Sequence, residues 1–264
     1  MENLKLIAGP CLAESKEMLT ICVEHLLNIC SKYDNIDFYF KASYKKANRT
    51  SSNSFMGVGD NIALQWFNEI RNKYNVRILT DVHTAEETDI VSKNVDVLQI
   101  PAFLCRQTEL LVAAGKTSLP VNIKKGQFTT PDAMIKAAQK VLTTENNNVW
   151  LTERGTFFGY NDLVVDFRSL VTMQEFGLPV IYDATHSVQK PSIGEQSGGN
   201  PHFIFPLAKA AISLGIDGVF FETHPDPKNA KSDTETQLPL SDAEKFIEMI
   251  VNMYNYVHSH TNVC

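Results

Sequence analysis

Eight short apolar runs, rich in β-branched and aromatic residues, recur along the chain, and almost every one ends in charged or polar residues. They are KLIAGP at 5–10, DFYFKAS at 37–43, VRILTDVH at 76–83, VDVLQIPA at 95–102, VNIKKG at 121–126, VWLTERG at 149–155, PVIYDATH at 179–186 and GVFFETH at 218–224. Runs this short and this apolar read as strands buried on both faces, and most of the segments between them carry helical periodicity. Ile62, Trp66, Phe67, Ile70 and Tyr74 form such a stripe behind Asp60, an expected N-cap. Pro131 suits a first helical turn, and Ser241 with Glu244 reads as a capping box ahead of Phe246, Ile247, Ile250, Val251 and Tyr254. Strands alternating with helices imply a parallel sheet covered on its outside, and 264 residues match the ~250 of a closed barrel. The expected fold is a single (β/α)8 TIM barrel over residues 1–264.

An open, doubly wound sheet fits less well, because no G-x-G-x-x-G or G-x-x-x-x-G-K-[ST] loop follows any strand. The strand ends argue the same way. Cys11, Lys41, Asp81, His83, Gln99, Lys124, Glu153, Arg154, Asp183, His186, Glu222 and His224 all fall there, where barrel enzymes build their active sites.

The formal net charge is −6, yet Lys41, Lys45, Lys46 and Arg49 crowd into nine residues. Such a local cationic cluster suits a small multiply charged anion, whereas a nucleic acid would need an extended basic surface. No apolar run approaches the ~20 residues of a membrane span, and the first residues, MENLKLIAGP, lack the layout of a secretory signal. Five widely spaced cysteines without a C-x-x-C pair make a poor disulfide framework, so a cytoplasmic protein is expected.

Side chains two apart on a strand share a face, which pairs Asp81 with His83, Asn122 with Lys124, Thr152 with Arg154, and Glu222 with His224 inside the barrel mouth. Lys125 and Glu153 then point outward toward the helices, where they can pair. Strands seven, eight and one are neighbours in a barrel, bringing His186, Glu222 and Cys11 to one arc, with Asp233 in the loop after strand eight. A thiol, an imidazole and two carboxylates suit a divalent ion of the Zn, Fe or Mn type better than Mg or Ca. The alternative leaves Cys11 as a small buried hydrophobe and His186 as a hydrogen-bonded strand-end residue. On the opposite arc Lys41, Lys46, Arg49, Lys124 and Arg154 accumulate more positive charge than one phosphate requires, so two phosphates, or a phosphate and a carboxylate, are expected.

IAGPC, KANRTS, TDVH, LQIPAFLCRQTELL, VNIKKGQF, LTERGTFFGYNDLVVDFRSL, YDATHSVQ, SGG and GVFFETHPDPKNAKSDTETQLPL, in order from residue 6 to about residue 240, carry a resemblance. Together they resemble the 3-deoxy-D-manno-octulosonate 8-phosphate synthase family. The resemblance implies condensation of phosphoenolpyruvate with arabinose 5-phosphate and water, a step toward lipopolysaccharide, and so an anionic partner for each cationic cluster. Cys11 stands where the metal-independent branch typically has asparagine, so the chain is similar to the metal-dependent branch. That similarity implies a divalent ion of the Zn, Fe, Mn or Co type on Cys11, His186, Glu222 and Asp233.

By the same resemblance Lys46, Lys124 and Arg154 match phosphoenolpyruvate-binding positions, and Asn48, Arg49 and Thr50 match the segment that holds the sugar phosphate. Substrate contacts are also implied for Lys41, Gln99, Phe103, Gln189 and Ser197, and proton transfer or hydroxyl positioning for Asp81 and His83. Relatives are tetramers in which the FLCRQTELL segment approaches a neighbouring active site, so a homotetramer with Arg106 acting in trans is expected. One departure stands out: Asn200-Pro201-His202 follows Ser197-Gly198-Gly199 where relatives commonly carry an arginine, in a Gly-rich loop with the character of a lid. Three rivals remain at this point. The sister enzyme takes erythrose 4-phosphate and tends to show KPR where KANR stands here; a Schiff-base aldolase would use Lys124 or Lys41 without metal; a barrel could also bind sugar phosphates without catalysis.

Overall fold

The structure, a computed structural model, describes residues 3–47, 55–190 and 198–260. All eight expected strands form: β1 (Leu4–Gly9), β2 (Ile36–Lys41), β3 (Arg77–Asp81), β4 (Val97–Ile100), β5 (Val121–Lys124), β6 (Val149–Glu153), β7 (Val180–Asp183) and β8 (Gly218–His224). Each runs parallel to the next, and β8 returns to pair with β1, closing the (β/α)8 barrel. Helices α1 (Lys16–Cys30), α2 (Asp60–Tyr74), α3 (Glu87–Ser92), α4 (Thr108–Lys116), α5 (Pro131–Leu142), α6 (Arg168–Gln174), α7 (Ile204–Ile212) and α8 (Ala243–His260) follow the strands in turn.

The period of two explains both layers of the core. Outward residues such as Leu6, Phe40, Ile78, Leu98, Ile123, Leu151, Tyr182 and Phe221 are buried against the helices. Each aliphatic side chain so buried contributes about 1.5–3 kcal/mol. The inward residues Ile7, Tyr39, Leu79, Val97, Trp150, Ile181 and Phe220 form a separate apolar cluster that fills the barrel floor. Two residues further along the same strands the inward positions become Lys41, Asp81, Gln99, Thr152, Asp183 and Glu222, so the polar layer lies directly on the apolar one.

Helix starts follow local chemistry. Ser15 caps α1 by accepting from the Met18 N–H at 3.1 Å, and Thr130 caps α5 ahead of Pro131. Asp60 is not the cap of α2: Gly59 takes that position with a φ of 105°, and Asp60 begins the helix itself. Ile62 is exposed, and Ala63 and Leu64 join Phe67 and Ile70 on the buried face instead. Ser241 lies in a 3₁₀ turn before α8, and the Glu244 carboxylate pairs with Lys32, in the turn after α1, in place of the expected capping box. The apolar stripe from Phe246 to Tyr254 is buried as expected.

Two small antiparallel ladders frame the mouth: Thr156–Phe157 with Leu163–Val164 after β6, and Gln189–Lys190 with Gly198–Gly199 after β7. Among the described residues no helix is long and apolar enough to cross a membrane.

Candidate active site

The C-terminal ends of the strands converge on one pocket, lined by Lys41, Lys46, Asp81, His83, Gln99, Phe103, Lys124, Arg154, His186 and Glu222 among others. All of these were expected at the site from the sequence. Asn48, Arg49, Thr50 and Ser197 lie outside the described residues.

The polar layer is one hydrogen-bonded chain across four strands. Thr152 Oγ1 donates to Asn122 Oδ1 at 2.6 Å, Asn122 Nδ2 to Gln99 Oε1 at 2.9 Å, and Gln99 Nε2 to Asp81 Oδ1 at 2.6 Å. The other Asp81 oxygen accepts from the Ser43 hydroxyl, and Ser43 Oγ accepts in turn from Lys46 Nζ at 3.1 Å. Burial pushes the Asp81 carboxyl up, but the Lys41 and Lys46 ammonium groups outweigh it and hold the group well below the usual carboxylate range. Gln99 therefore belongs to this layer as well as to the pocket wall.

Lys124 and Arg154 come from parity, inward on β5 and just beyond β6. Lys124 Nζ lies 3.2 Å from the Phe220 ring centroid and donates to Asp183 Oδ2 at 2.5 Å. Burial on that apolar floor dominates, and the Lys124 ammonium is pulled down to about 8 from 10.5 despite the Asp183 carboxylate. Arg154 Nη2 donates to Gln189 Oε1 at 3.0 Å, while its buried Nη1 has no partner among the described residues. Outside the barrel, Lys125 Nζ stands 3.5 Å from Glu153 Oε1, the pairing expected from the same parity.

The second arc gathers at the ends of β7, β8 and β1. Ligand atoms of Cys11, Glu222 and Asp233 lie within 4.8 Å of one another. His186 Nε2 is 3.7 Å from Glu222 Oε1 and 3.8 Å from Asp233 Oδ2. The Cys11 sulfur donates to Asp233 Oδ2 at 2.9 Å, and burial followed by the Asp233 and Glu222 charges pushes its thiol well up. Asp233 reaches the arc from a left-handed backbone, φ 48°. Gly9 makes room beneath: a Cβ there would meet the Lys41 carbonyl oxygen at 2.1 Å, so only glycine lets β1 and β2 approach at this point. Lys41 then donates to the Cys11 carbonyl at 3.0 Å and pairs with Glu222.

These residues fit a divalent ion. Glu222 Oε2 is buried with no hydrogen-bond partner among the described residues, and one sulfur, one nitrogen and two carboxylates form the mixed donor set that borderline metals take. Asp183, not singled out as a functional residue from sequence, completes the arrangement. Its Oδ2 lies 2.8 Å from His186 Nδ1, and its Oδ1 accepts from the Thr185 and His186 amides at 3.0 and 2.8 Å. Burial opposes its charge, but His186 and Lys124 hold it far below the carboxylate range. An ionised carboxylate only accepts, so His186 Nδ1 carries a proton toward Asp183, and Nε2 faces Glu222 and Asp233.

Gln189 and Arg106 line no part of the pocket of their own chain. Gln189 lies behind Arg154 and bridges it to Asp233, donating from Nε2 to Oδ1 at 3.0 Å. Arg106 is exposed on the turn before α4, away from the pocket of its own chain, and its carbonyl accepts from Lys140. His224 is a correction: β8 leaves the barrel to pair with Leu238–Pro239, and the His224 ring turns to Glu14, 3.8 Å from Nε2. Gln127, within the quoted VNIKKGQF motif, was also missed. It lines the pocket with a buried Oε1 that has no partner among the described residues.

With this geometry in hand, comparison with known proteins decides the family. The profile of the DAHP synthetase I family matches residues 2–259. The chain belongs to the DAHP synthetase I family. Within the DAHP synthetase I family it is 47% identical over 269 residues to a Campylobacter jejuni protein named 2-dehydro-3-deoxyphosphooctonate aldolase, covering 97% of this chain and 98% of that one. Proteins of the same name from Bartonella tribocorum and Fusobacterium nucleatum are 49% and 45% identical over 249 residues, covering 94% of this chain and 89% of each relative.

Proposed function

We infer that the protein condenses phosphoenolpyruvate with D-arabinose 5-phosphate and water, giving 3-deoxy-D-manno-octulosonate 8-phosphate and inorganic phosphate. The observation that carries this reading is a pocket in which Lys41, Lys46, Lys124 and Arg154 converge beside His186 and Glu222, whose ligand atoms meet those of Cys11 and Asp233 at its edge, in a chain with these relatives.

In the reaction, carbon 3 of the enol phosphate bonds to the sugar aldehyde carbon, a water oxygen bonds to carbon 2, and the carbon 2 to phosphate-oxygen bond breaks as phosphate leaves. Lys124 and the unpartnered Nη1 of Arg154 offer the leaving phosphate its charge complement on a dry apolar floor, where such contacts are strong. Lys46 is tied to Asp81 through Ser43, and burial fails to discharge it because the carboxylates of Glu222, Asp81 and Asp233 raise its ammonium well above the usual range. Asp81 and His83 face the pocket from β3 and the segment just beyond it, placed to orient hydroxyls or move protons at the aldehyde. Cys11, His186, Glu222 and Asp233 would hold a divalent ion, which supplies Lewis-acid polarisation of an aldehyde or water oxygen when bound. On this reading the chain falls in the metal-dependent branch.

We further place the enzyme in the cytoplasm, in lipopolysaccharide precursor synthesis, as a homotetramer with Arg106 reaching a neighbour's sugar phosphate. The assay is phosphate release from phosphoenolpyruvate with arabinose 5-phosphate and with erythrose 4-phosphate, each with and without chelator. Release that requires arabinose 5-phosphate supports the reading; release with erythrose 4-phosphate alone overturns it. A Schiff-base route would instead show as borohydride trapping of Lys124 or Lys41.

A further inference from the structure

His83 is the one imidazole of the pocket outside the metal-ligand arc, and its ring is held from behind by a carboxylate that lines no part of the pocket. Glu87, at the first turn of α3, places Oε2 3.2 Å from His83 Nδ1 and accepts from the His83 backbone N–H at 2.9 Å. The same oxygen accepts from Tyr44 Oη at 2.6 Å, and Oε1 accepts from Lys45 Nζ at 2.6 Å. Tyr44 also packs its ring 5.8 Å from the imidazole, so His83 is bracketed by one side chain and hydrogen-bonded to the other.

We propose that Glu87 is a positioning residue for the condensation, fixing the neutral His83 tautomer that carries its proton on Nδ1 and turns Nε2, as an acceptor, into the pocket. The inference deepens the proposed function and rests on it. A carboxylate with three donors around it stays ionised and can only accept, so the ring nitrogen beside it must be the donor. Burial works against the charge on Glu87, but Lys45, Tyr44 and the His83 amide more than offset it and bring the carboxyl down to about 2. With Nδ1 occupied, the ring is also fixed in rotation, and the remaining nitrogen can take a hydroxyl proton from a substrate without reorienting. Lys45 precedes Lys46 directly, so the one carboxylate fixes both His83 and the start of the segment that carries a phosphate-facing lysine.

A double-mutant cycle separates action through His83 from action through the segment. Glu87→Gln in otherwise native enzyme is expected to lower kcat about tenfold to a hundredfold, the usual loss on removing an orienting partner of a functional histidine, with KM for phosphoenolpyruvate changing less than threefold. In a His83→Ala background the same substitution is expected to cost less than twofold, because the group it acts on is gone. Tyr44→Phe, which removes one donor but leaves the imidazole contact, is expected to stay within threefold of native kcat. If Glu87→Gln does not fold, Glu87→Asp runs the same cycle with the charge retained. Nitrogen-15 spectra of histidine-labelled native enzyme read the tautomer independently of turnover, with His83→Ala assigning the signal: a protonated Nδ1 and bare Nε2 are expected. Equal losses from Glu87→Gln in both backgrounds, or a His83 ring protonated on Nε2 alone, would overturn the proposal. Native enzyme that releases no phosphate with either sugar would instead overturn the function it rests on.

Discussion

The Cys11 sulfur and Asp233 Oδ2 stand 2.9 Å apart although their residues are 222 positions apart in the chain. Burial and the neighbouring carboxylates push the thiol well up, so in the absence of a cation the contact is a thiol donating to a carboxylate. A divalent ion held there would take both atoms as ligands in place of that hydrogen bond. Chelation is therefore expected to lower phosphate release more than about a hundredfold, and Mn, Fe, Co or Zn to restore it. Undiminished turnover in protein shown to be metal-free would contradict the assignment. Cys11→Asn, which imitates the metal-independent branch, is expected to keep measurable activity after chelation.

Lys124 gives a pH prediction whose sign follows from its environment. Its folded value is about 8, below its ordinary 10.5, so between those pH values the unfolded chain holds a proton that the folded chain has shed. The linked stability therefore rises with pH across that window, as the burial penalty on the ammonium is relieved. Binding is expected to behave oppositely, because on the proposed reading the phosphate of phosphoenolpyruvate pairs with the ammonium. A profile of kcat/KM for phosphoenolpyruvate is expected to fall on its alkaline side with a midpoint near 8, and a flat profile to pH 10 would refute it.

The chain of amides crossing the barrel predicts a stability effect. Asn122 is fully buried, and Asn122→Ala strips partners from both Gln99 Oε1 and the Thr152 hydroxyl. Leaving those groups unpaired costs about 1–3 kcal/mol. Urea denaturation should show the loss; a change below about 0.5 kcal/mol would mean that the neighbours repair the chain at little expense.

Substrate length is the next test. If the segment with Asn48 and Arg49 holds the sugar's terminal phosphate, as the resemblance implies, a sugar one carbon shorter would present its aldehyde out of place. Arabinose 5-phosphate should exceed erythrose 4-phosphate in kcat/KM by at least about a hundredfold, the scale of a misplaced reacting group. Parity between them would favour the sister activity.

Much of this was legible in the residues, for a reason that also sets its limit. The period of two placed Lys124, Arg154 and Asp81 inward and paired Lys125 with Glu153 outward, because strand geometry holds as long as the strand stays in the barrel. His224 broke the rule where β8 leaves to pair with Leu238–Pro239. The roles of Asp183, Gln127 and Glu87 depend on partners from other strands and loops, which no local pattern encodes. The cap of α2 passed from Asp60 to Gly59 because the chain enters that helix with a positive φ.

Arg106 tests assembly. It is exposed and away from the pocket of its own chain, as a residue serving a neighbour would be. Arg106→Ala and Lys124→Ala proteins, each expected to be inactive, should regain activity when subunits are exchanged, since some mixed sites then hold both side chains. Mixed oligomers that form and stay inactive would assign Arg106 to its own subunit.

The apolar floor made by Ile7, Tyr39, Leu79, Val97, Trp150, Ile181 and Phe220 has a consequence for traffic. With the barrel packed below by these side chains, the substrates and products of the proposed reaction would share the doorway at the C-terminal ends of the strands. Whichever substrate rests on the floor has to arrive before the other, and the product left deepest has to wait for its companion to go. On the proposed reaction, order of arrival would thereby follow from the packing of seven side chains at the base of the pocket.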